Sequence, residues 1–339
     1  MDRRPSLHPA VAEVRRAVRC ALERLPADGD RAALVGLSGG ADSLALAAAV
    51  AFEAPKLGFR PVAVVVDHAL QPGSAAVADA AAAAARHLGL SASVVRVRVS
   101  GEGGPEGAAR AARYAALAEA AAAHRAAAVL VAHTLDDQAE TVLLGLARGS
   151  GAASLQGMAE AADLDGVPLL RPLLAVRRDT TRAACVADGL AFWDDPHNAD
   201  PRFTRVRVRE RVLPVLEAEL GPGVAEALAR TAEQLREDAE AFAEMIDETI
   251  EDIVEHAEAG ISVSVPALAA NPAALRHRII RHVVAAEFGQ SLTRRQTLET
   301  ARLVTDWSGQ GPLDLPGCRV HRQGARLVFT AAGSAPAPA

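Results

Sequence analysis

In the first half of the chain, apolar residues gather in short continuous runs at 33–37, 61–66, 93–99 and 128–132, rich in Val and Leu. Between them lie longer alanine-rich stretches at about 42–53, 74–88, 105–124 and 136–148. Continuous apolar runs of strand length, separated by segments of helix length, predict parallel strands covered by helices on both faces. The expected architecture is therefore α/β, a doubly wound parallel sheet, with ligands at the carboxyl ends of its strands. Beyond residue 149 the pattern loosens. A small-residue loop at 149–157 precedes a further strand at 167–174, a helix at 177–187 and a polar loop at 193–201. A long acidic helical stretch follows at about 205–258, broken near Gly221 and Pro222. Helices at 272–288 and 294–305, a hairpin within 311–329 and a frayed Pro/Ala tail complete a smaller, mostly helical C-terminal domain. The expected divisions are 1–215, 216–258, 259–332 and 333–339.

Composition sharpens this picture. Half of the 339 residues are apolar, but 78 of them are alanine and only 3% of the chain is aromatic, so helices with small-residue packing are expected. Three cysteines lie far apart with no CxxC pair, which disfavours a zinc ribbon, a disulfide framework or a dithiol redox site. The N-terminus carries Arg3, Arg4, Arg15 and Arg16 without the apolar core of a signal peptide. No strongly apolar run reaches about 18 residues, so a cytoplasmic protein without membrane association is expected. The net charge is -6, with Lys56 the only lysine beside 35 arginines. A net negative charge argues weakly against a nucleic-acid partner. Its distribution removes the objection, because residues 216–258 hold 14 acids and 2 bases whereas residues 259–339 hold 4 acids and 9 bases.

The candidate chemistry sits at strand ends. Ser38-Gly39-Gly40-Ala41-Asp42-Ser43 follows the first run and opens a helix. Glycines there let backbone N–H groups approach phosphate oxygens, and a helix start favours negative charge. The turn lacks the Lys-Ser/Thr pair of P-loop NTPases and is not a GxGxxG. The bland alternative is a Gly-rich helix start that only turns the chain. Asp67-His68-Ala69-Leu70 ends the second run, where a nucleotide base or ribose lies in such a sheet; a merely polar strand end is the common alternative. Glu106, Arg110, Arg113 and Tyr114 share one broad helix face. His133 follows the fourth run, and Asp137, Glu140 and Thr141 fall on one side of the next helix. First-turn acids there also suit the helix dipole. Arg202, Arg205, Arg207, Arg209 and Arg211 are spaced mainly by two, which fits one face of a strand carrying phosphate contacts. A solvated helix start is the alternative.

Taken in order, these motifs resemble the bacterial tRNA(Ile)-lysidine synthetase family of the PP-loop ATP pyrophosphatase superfamily. Further signatures are Arg148-Gly149-Ser150-Gly151, Leu155-Gln156-Gly157-Met158, Arg171-Pro172-Leu173-Leu174 and Trp193-Asp194-Asp195-Pro196-His197-Asn198. Gln71 and Val206 depart from the family's usual arginine and asparagine. The resemblance implies ATP as co-substrate with Mg²⁺, free L-lysine, and an isoleucine tRNA with a CAU anticodon whose wobble cytidine becomes lysidine. It also implies a PP-loop catalytic domain over 1–215, an acidic helical linker over 216–258 and a tRNA-binding domain over 259–332. It assigns Ser38, Gly39, Gly40, Asp42, Ser43, Asp67 and His68 to ATP, with Asp42 also on the metal. Arg113, His133, Asp137 and Glu140 join Asp42 as catalytic residues, and Arg113, Asp137 and Glu140 hold lysine. Arg202, Arg205, Arg207 and Arg209 are assigned to tRNA. A homodimer through the alanine-rich faces or acidic helices is compatible with the sequence. The rivals are a cytidine 2-thiolating PP-loop enzyme, disfavoured by the missing cysteine pairs, an ammonia-using synthetase, and a catalytically silent nucleotide-binding protein.

Overall fold

The computed structural model describes residues 7–26, 29, 31–69, 73–97, 105–149, 151–257 and 260–332. Gln71, Ser150, the Glu106 side chain and the tail from 333 onward lie outside them. Two compact units divide the chain, residues 1–236 and 237–339. No described helix is long and apolar enough to cross a membrane.

The first unit opens with helix α1 (Pro9–Glu23), which the hydrophobic pattern had not singled out. Then follow β1 (Ala32–Leu37), α2 (Ala41–Glu53), β2 (Arg60–Asp67), α3 (Ser74–His87), β3 (Ser91–Arg96), α4 (Pro105–Ala123), β4 (Ala126–Leu130) and α5 (Leu135–Arg148). A short α6 (Ala152–Leu155) leads to β5 (Ala161–Leu164), β6 (Val167–Leu170) and α7 (Arg178–Ala187). The sheet order is β3-β2-β1-β4-β6-β5, parallel throughout except at β5. Alternate side chains of β1 enter two separate cores. Ala33, Val35 and Leu37 pack toward α1, α2 and α3, whereas Ala32 and Leu34 pack toward Leu117 of α4. Burial on both faces is why these strands read as unbroken apolar runs. The chain reverses its direction of growth across the sheet between β1 and β4, and the crevice at their carboxyl ends is where such a sheet binds ligands.

The arginine run is helical, which corrects the strand expected from its spacing. Helix α8 (Thr204–Arg207) passes through a π turn at Val208–Val212 into α9 (Leu213–Leu220). Helix α10 (Val224–Ile253) follows. The second unit contains β7 (Val254–Ala257), β8 (Gly260–Ser264), α11 (Val265–Ala270), α12 (Ala273–Phe288), α13 (Arg294–Thr305), β9 (Leu313–Leu315), β10 (Cys318–Gln323) and β11 (Arg326–Ala331). The expected hairpin is β10–β11, placed inside a five-stranded antiparallel sheet of order β7-β8-β11-β10-β9. Ile279, Ile280, Val320, Leu327 and Phe329 fill its core.

Candidate active site

A cleft of about 960 Å³ opens at the carboxyl ends of β1 and β4 and is lined by Ser38, Asp42, Ser43, His68, Arg113, His133, Asp137, Arg178, Arg205 and Arg209 among others. It gathers most of the residues singled out in the sequence. Its floor is the turn between β1 and α2. Gly39 has φ +85°, a backbone that favours glycine, and a Cβ there would stand 3.2 Å from the Ala81 Cβ. The Ser43 hydroxyl donates to the Gly40 carbonyl (3.0 Å), lies 3.0 Å from the Ser38 hydroxyl and accepts from the Ser38 N–H at 3.1 Å. The Gly39 carbonyl accepts from the N–H of Trp193, which ties the Trp-Asp-Asp-Pro segment to the turn. Arg182 holds that segment through paired bonds to Asp194 of 2.9 and 3.1 Å.

Asp42 stands in the first turn of α2. Its Oδ1 accepts from the Thr181 hydroxyl, and its Oδ2 lies 3.6 Å from Arg178 Nε. Burial raises its carboxyl above the usual range, outweighing the Thr181 bond and Arg178. Its hard oxygen donors are of the kind that would suit Mg²⁺. Among the described residues, no three His, Cys, Asp or Glu side chains group to hold a metal by themselves.

Thr134 and Asp137 form a reciprocal cap on α5. Thr134 N–H and Oγ1 both donate to Asp137 Oδ2 at 2.9 Å, and Asp137 N–H donates back to Thr134 Oγ1. Burial pushes the Asp137 carboxyl up, but Arg178 and the Thr134 bonds outweigh it and hold Asp137 below its ordinary value. Glu140, one turn later, is fully buried. Arg209 Nε donates to it at 2.7 Å, Arg178 Nη1 at 3.3 Å, and Arg205 Nε stands 3.7 Å away. Arg205 and Arg209 are one helical turn apart, so the run delivers them together. Arg202 and Arg207 turn elsewhere: Arg202 pairs with Asp200, and Arg207 donates to the carbonyls of Pro201 and Arg202.

The upper wall is set by two histidines. His68 Nδ1 and His133 Nδ1 are buried without a hydrogen-bond partner among the described residues. Burial lowers both, with Arg113 adding to the effect, and His133 falls to about 4. Buried orphan nitrogens in a cleft are acceptors or donors available to a ligand. Burial also lowers Arg113, ahead of the opposing influence of Tyr114. Asp67 is placed differently from His68. Its carboxylate accepts from Ala69 N–H at 2.9 Å and lies 3.7 Å from Arg96, so it shapes the turn after β2. Two clasps lie outside the cleft, the first of them on α5. Gln138 exchanges bonds of 2.8 and 2.7 Å with the Met158 backbone, and a Cβ at Gly157 would meet Gln138 Oε1 at 2.5 Å. Arg236 donates to the carbonyls of Gln156 and Met158.

Arg178, at the start of α7, was missed in the sequence. Its guanidinium reaches Asp42, Asp137 and Glu140, and burial, which opposes its charge, is outweighed by these carboxylates so that it is held above its ordinary value. The only local signal is an arginine pair, Arg177-Arg178, just after the Arg171-Pro172-Leu173-Leu174 signature.

Residues 12–216 match the family model of the PP-loop domain, and residues 264–328 match that of the TilS substrate binding domain. A tRNA(Ile)-lysidine synthase of Leifsonia xyli is 64% identical over 87% of this chain and 89% of its own. One from Streptomyces coelicolor is 49% identical over 95% and 98%. Among solved structures, the tRNA thiolase NcsA from Methanococcus maripaludis has a TM-score of 0.57 at 20% identity, covering 67% of this chain and 80% of that one. That likeness concerns the fold. With a PP-loop domain over most of the first unit, a substrate-binding match in the second and relatives of this closeness, the chain belongs to the tRNA(Ile)-lysidine synthase family.

Proposed function

We propose that this chain joins L-lysine to the wobble cytidine of an isoleucine tRNA bearing a CAU anticodon, at the expense of ATP. What carries this reading is the cleft in which a phosphate-accepting turn meets Asp42 and Asp137, with Glu140 buried behind its lining arginines, in a chain 64% identical to a lysidine synthase. In the first step the cytidine 2-oxo oxygen attacks the α-phosphorus of ATP, and the bond to pyrophosphate breaks. The turn Ser38–Gly40, the Ser43 hydroxyl and the N-terminus of α2 bind the phosphates, and Arg113 stabilises the charge that develops on them. Asp42 would hold Mg²⁺, which would supply neutralisation of phosphoryl charge. His133 stays neutral at pH 7, since burial holds it near 4, so its ring presents one donor and one acceptor to the nucleotide.

In the second step the lysine ε-amine attacks C2 of the adenylated cytidine and AMP leaves. Adenylation is what turns a poor leaving oxygen into a phosphoester. An alkyl ammonium has an ordinary pKa near ~10.4, so it must shed a proton, and either Asp137 or Glu140 takes it. Ionised Asp137 attracts the ammonium. Exposed Arg202 and half-buried Arg207 stand outside the cleft lining and follow tRNA phosphates, and Arg205 and Arg209, which line the cleft, meet the anticodon. Asp42→Asn should abolish tRNA-dependent pyrophosphate release, by about a hundredfold or more, with an unchanged circular dichroism spectrum. Release at the wild-type rate would remove Asp42 from this role.

A further inference from the structure

We propose that Arg178 couples the phosphate half of the cleft to the lysine half, so that occupancy of one strengthens binding in the other. This rests on the assignment of Asp42 to the phosphates and of Asp137 and Glu140 to lysine. Arg178 Nε lies 3.6 Å from Asp42 Oδ2, its Nη2 2.8 Å from Asp137 Oδ1 and its Nη1 3.3 Å from Glu140 Oε1. Arg205 and Arg209 also approach Glu140, and Arg209 lies 3.7 Å from Asp137. Among the ion pairs of the described residues, only that with Arg178 reaches Asp42. One side chain therefore bridges the carboxylates of both halves.

Its backbone is pinned. Arg178 N–H donates to Asp136 Oδ2 at 2.8 Å, and the single Thr181 hydroxyl proton is shared between the Arg178 carbonyl and Asp42 Oδ1. The side chain is 19% exposed and lines the cleft, so the guanidinium can redistribute its bonds while the helix start stays fixed. A triphosphate on the Ser38–Gly40 turn places anionic oxygens beside Asp42. A guanidinium binds phosphate through two parallel bonds, and turning toward it loosens the bond to Asp137. Asp137 then accepts an ammonium against weaker competition, with only the more distant Arg209 left beside it. An ammonium at Asp137 in turn drives the guanidinium toward the phosphates, because linkage between two binding sites is reciprocal. Arg178 is on this account a positioning residue.

The test is calorimetric titration of L-lysine into the full chain, with and without α,β-methylene ATP and Mg²⁺. The analogue should lower the lysine Kd of the wild type by about tenfold. Arg178→Gln should bring that ratio to about one, and Arg178→Lys, a single point charge, should keep only part of it. General destabilisation lowers both affinities without moving their ratio, so the ratio separates coupling from a structural role. Equal lysine affinity in the two wild-type arms, or absence of lysine binding in both, overturns the inference. So does a wild-type ratio retained in Arg178→Gln; if that variant does not fold, a full ratio in Arg178→Lys does the same. Lysine transfer to tRNA by the same preparation is measured in parallel. Transfer without coupling defeats the role of Arg178 alone, whereas coupling without transfer defeats the proposed reaction.

Discussion

Glu140 shows how a carboxylate is kept charged behind the wall of this cleft. A carboxylate with no exposure is costly unless cations surround it, and Arg178, Arg205 and Arg209 supply three. His133 shows the opposite solution, an ionisable ring kept neutral. Burial lowers it from 6.5 to about 4 against the pull of Asp137. The unfolded chain takes up this proton near pH 6.5, and the folded chain only near 4. The contribution to stability is therefore full above pH 6.5 and lost as pH falls to about 4, in total about 3 kcal/mol. Scanning calorimetry should show the melting temperature of the wild type falling more steeply across that window than that of His133→Asn. Parallel slopes would mean that His133 titrates normally. Asp42, His133, Asp137 and Glu140 were legible because each lies in the link after a strand or in the first two turns of the helix that follows it, on the side where this sheet puts its ligands. Arg178 was not, since it reaches the same carboxylates from 38 to 136 residues away along the chain, through the packing of α7.

At the scale of elements, the arginine run carries two jobs on one short helical segment. Spacing by two reads as a strand face, but α8 and the π turn wind the segment so that Arg205 and Arg209 point together at Glu140. Arg202 and Arg207 bond to the adjoining turn, Arg202 exposed and Arg207 half-buried. Replacing Arg202 and Arg207 together by Gln should weaken tRNA binding and reduce the slope of log affinity against log salt by about two, leaving the lysine KM unchanged. A filter-binding salt series with an unaltered slope would mean that neither side chain touches phosphate. The strands hidden in the sequence share a physical reason. Ala161–Leu164 is nearly all exposed and half alanine, Val254–Ala257 continues an acidic helical pattern, and Leu313–Leu315 spans three residues. None offers the apolar run or alternation by which a strand announces itself.

For the whole molecule, the acidic balance of the sequence is local. Residues 216–258 carry the excess of acid, and the residues after them are basic, as suits an RNA partner. The parallel sheet was legible because strands buried on both faces leave unbroken apolar runs, as Ala126–Leu130 does with every residue buried. The second unit was legible in α12, α13 and its β10–β11 hairpin but not in the six-residue α11, while the rest of its sheet depended on pairings distant in sequence, such as Val263 with Leu327. The full chain is incubated with ATP, Mg²⁺ and radiolabelled L-lysine, with either the isoleucine tRNA bearing CAU or a methionine tRNA sharing that anticodon. The account predicts ATP-dependent label in the isoleucine species at the wobble cytidine, with AMP and pyrophosphate formed in equal amounts. ATP binding without label in that tRNA would contradict it.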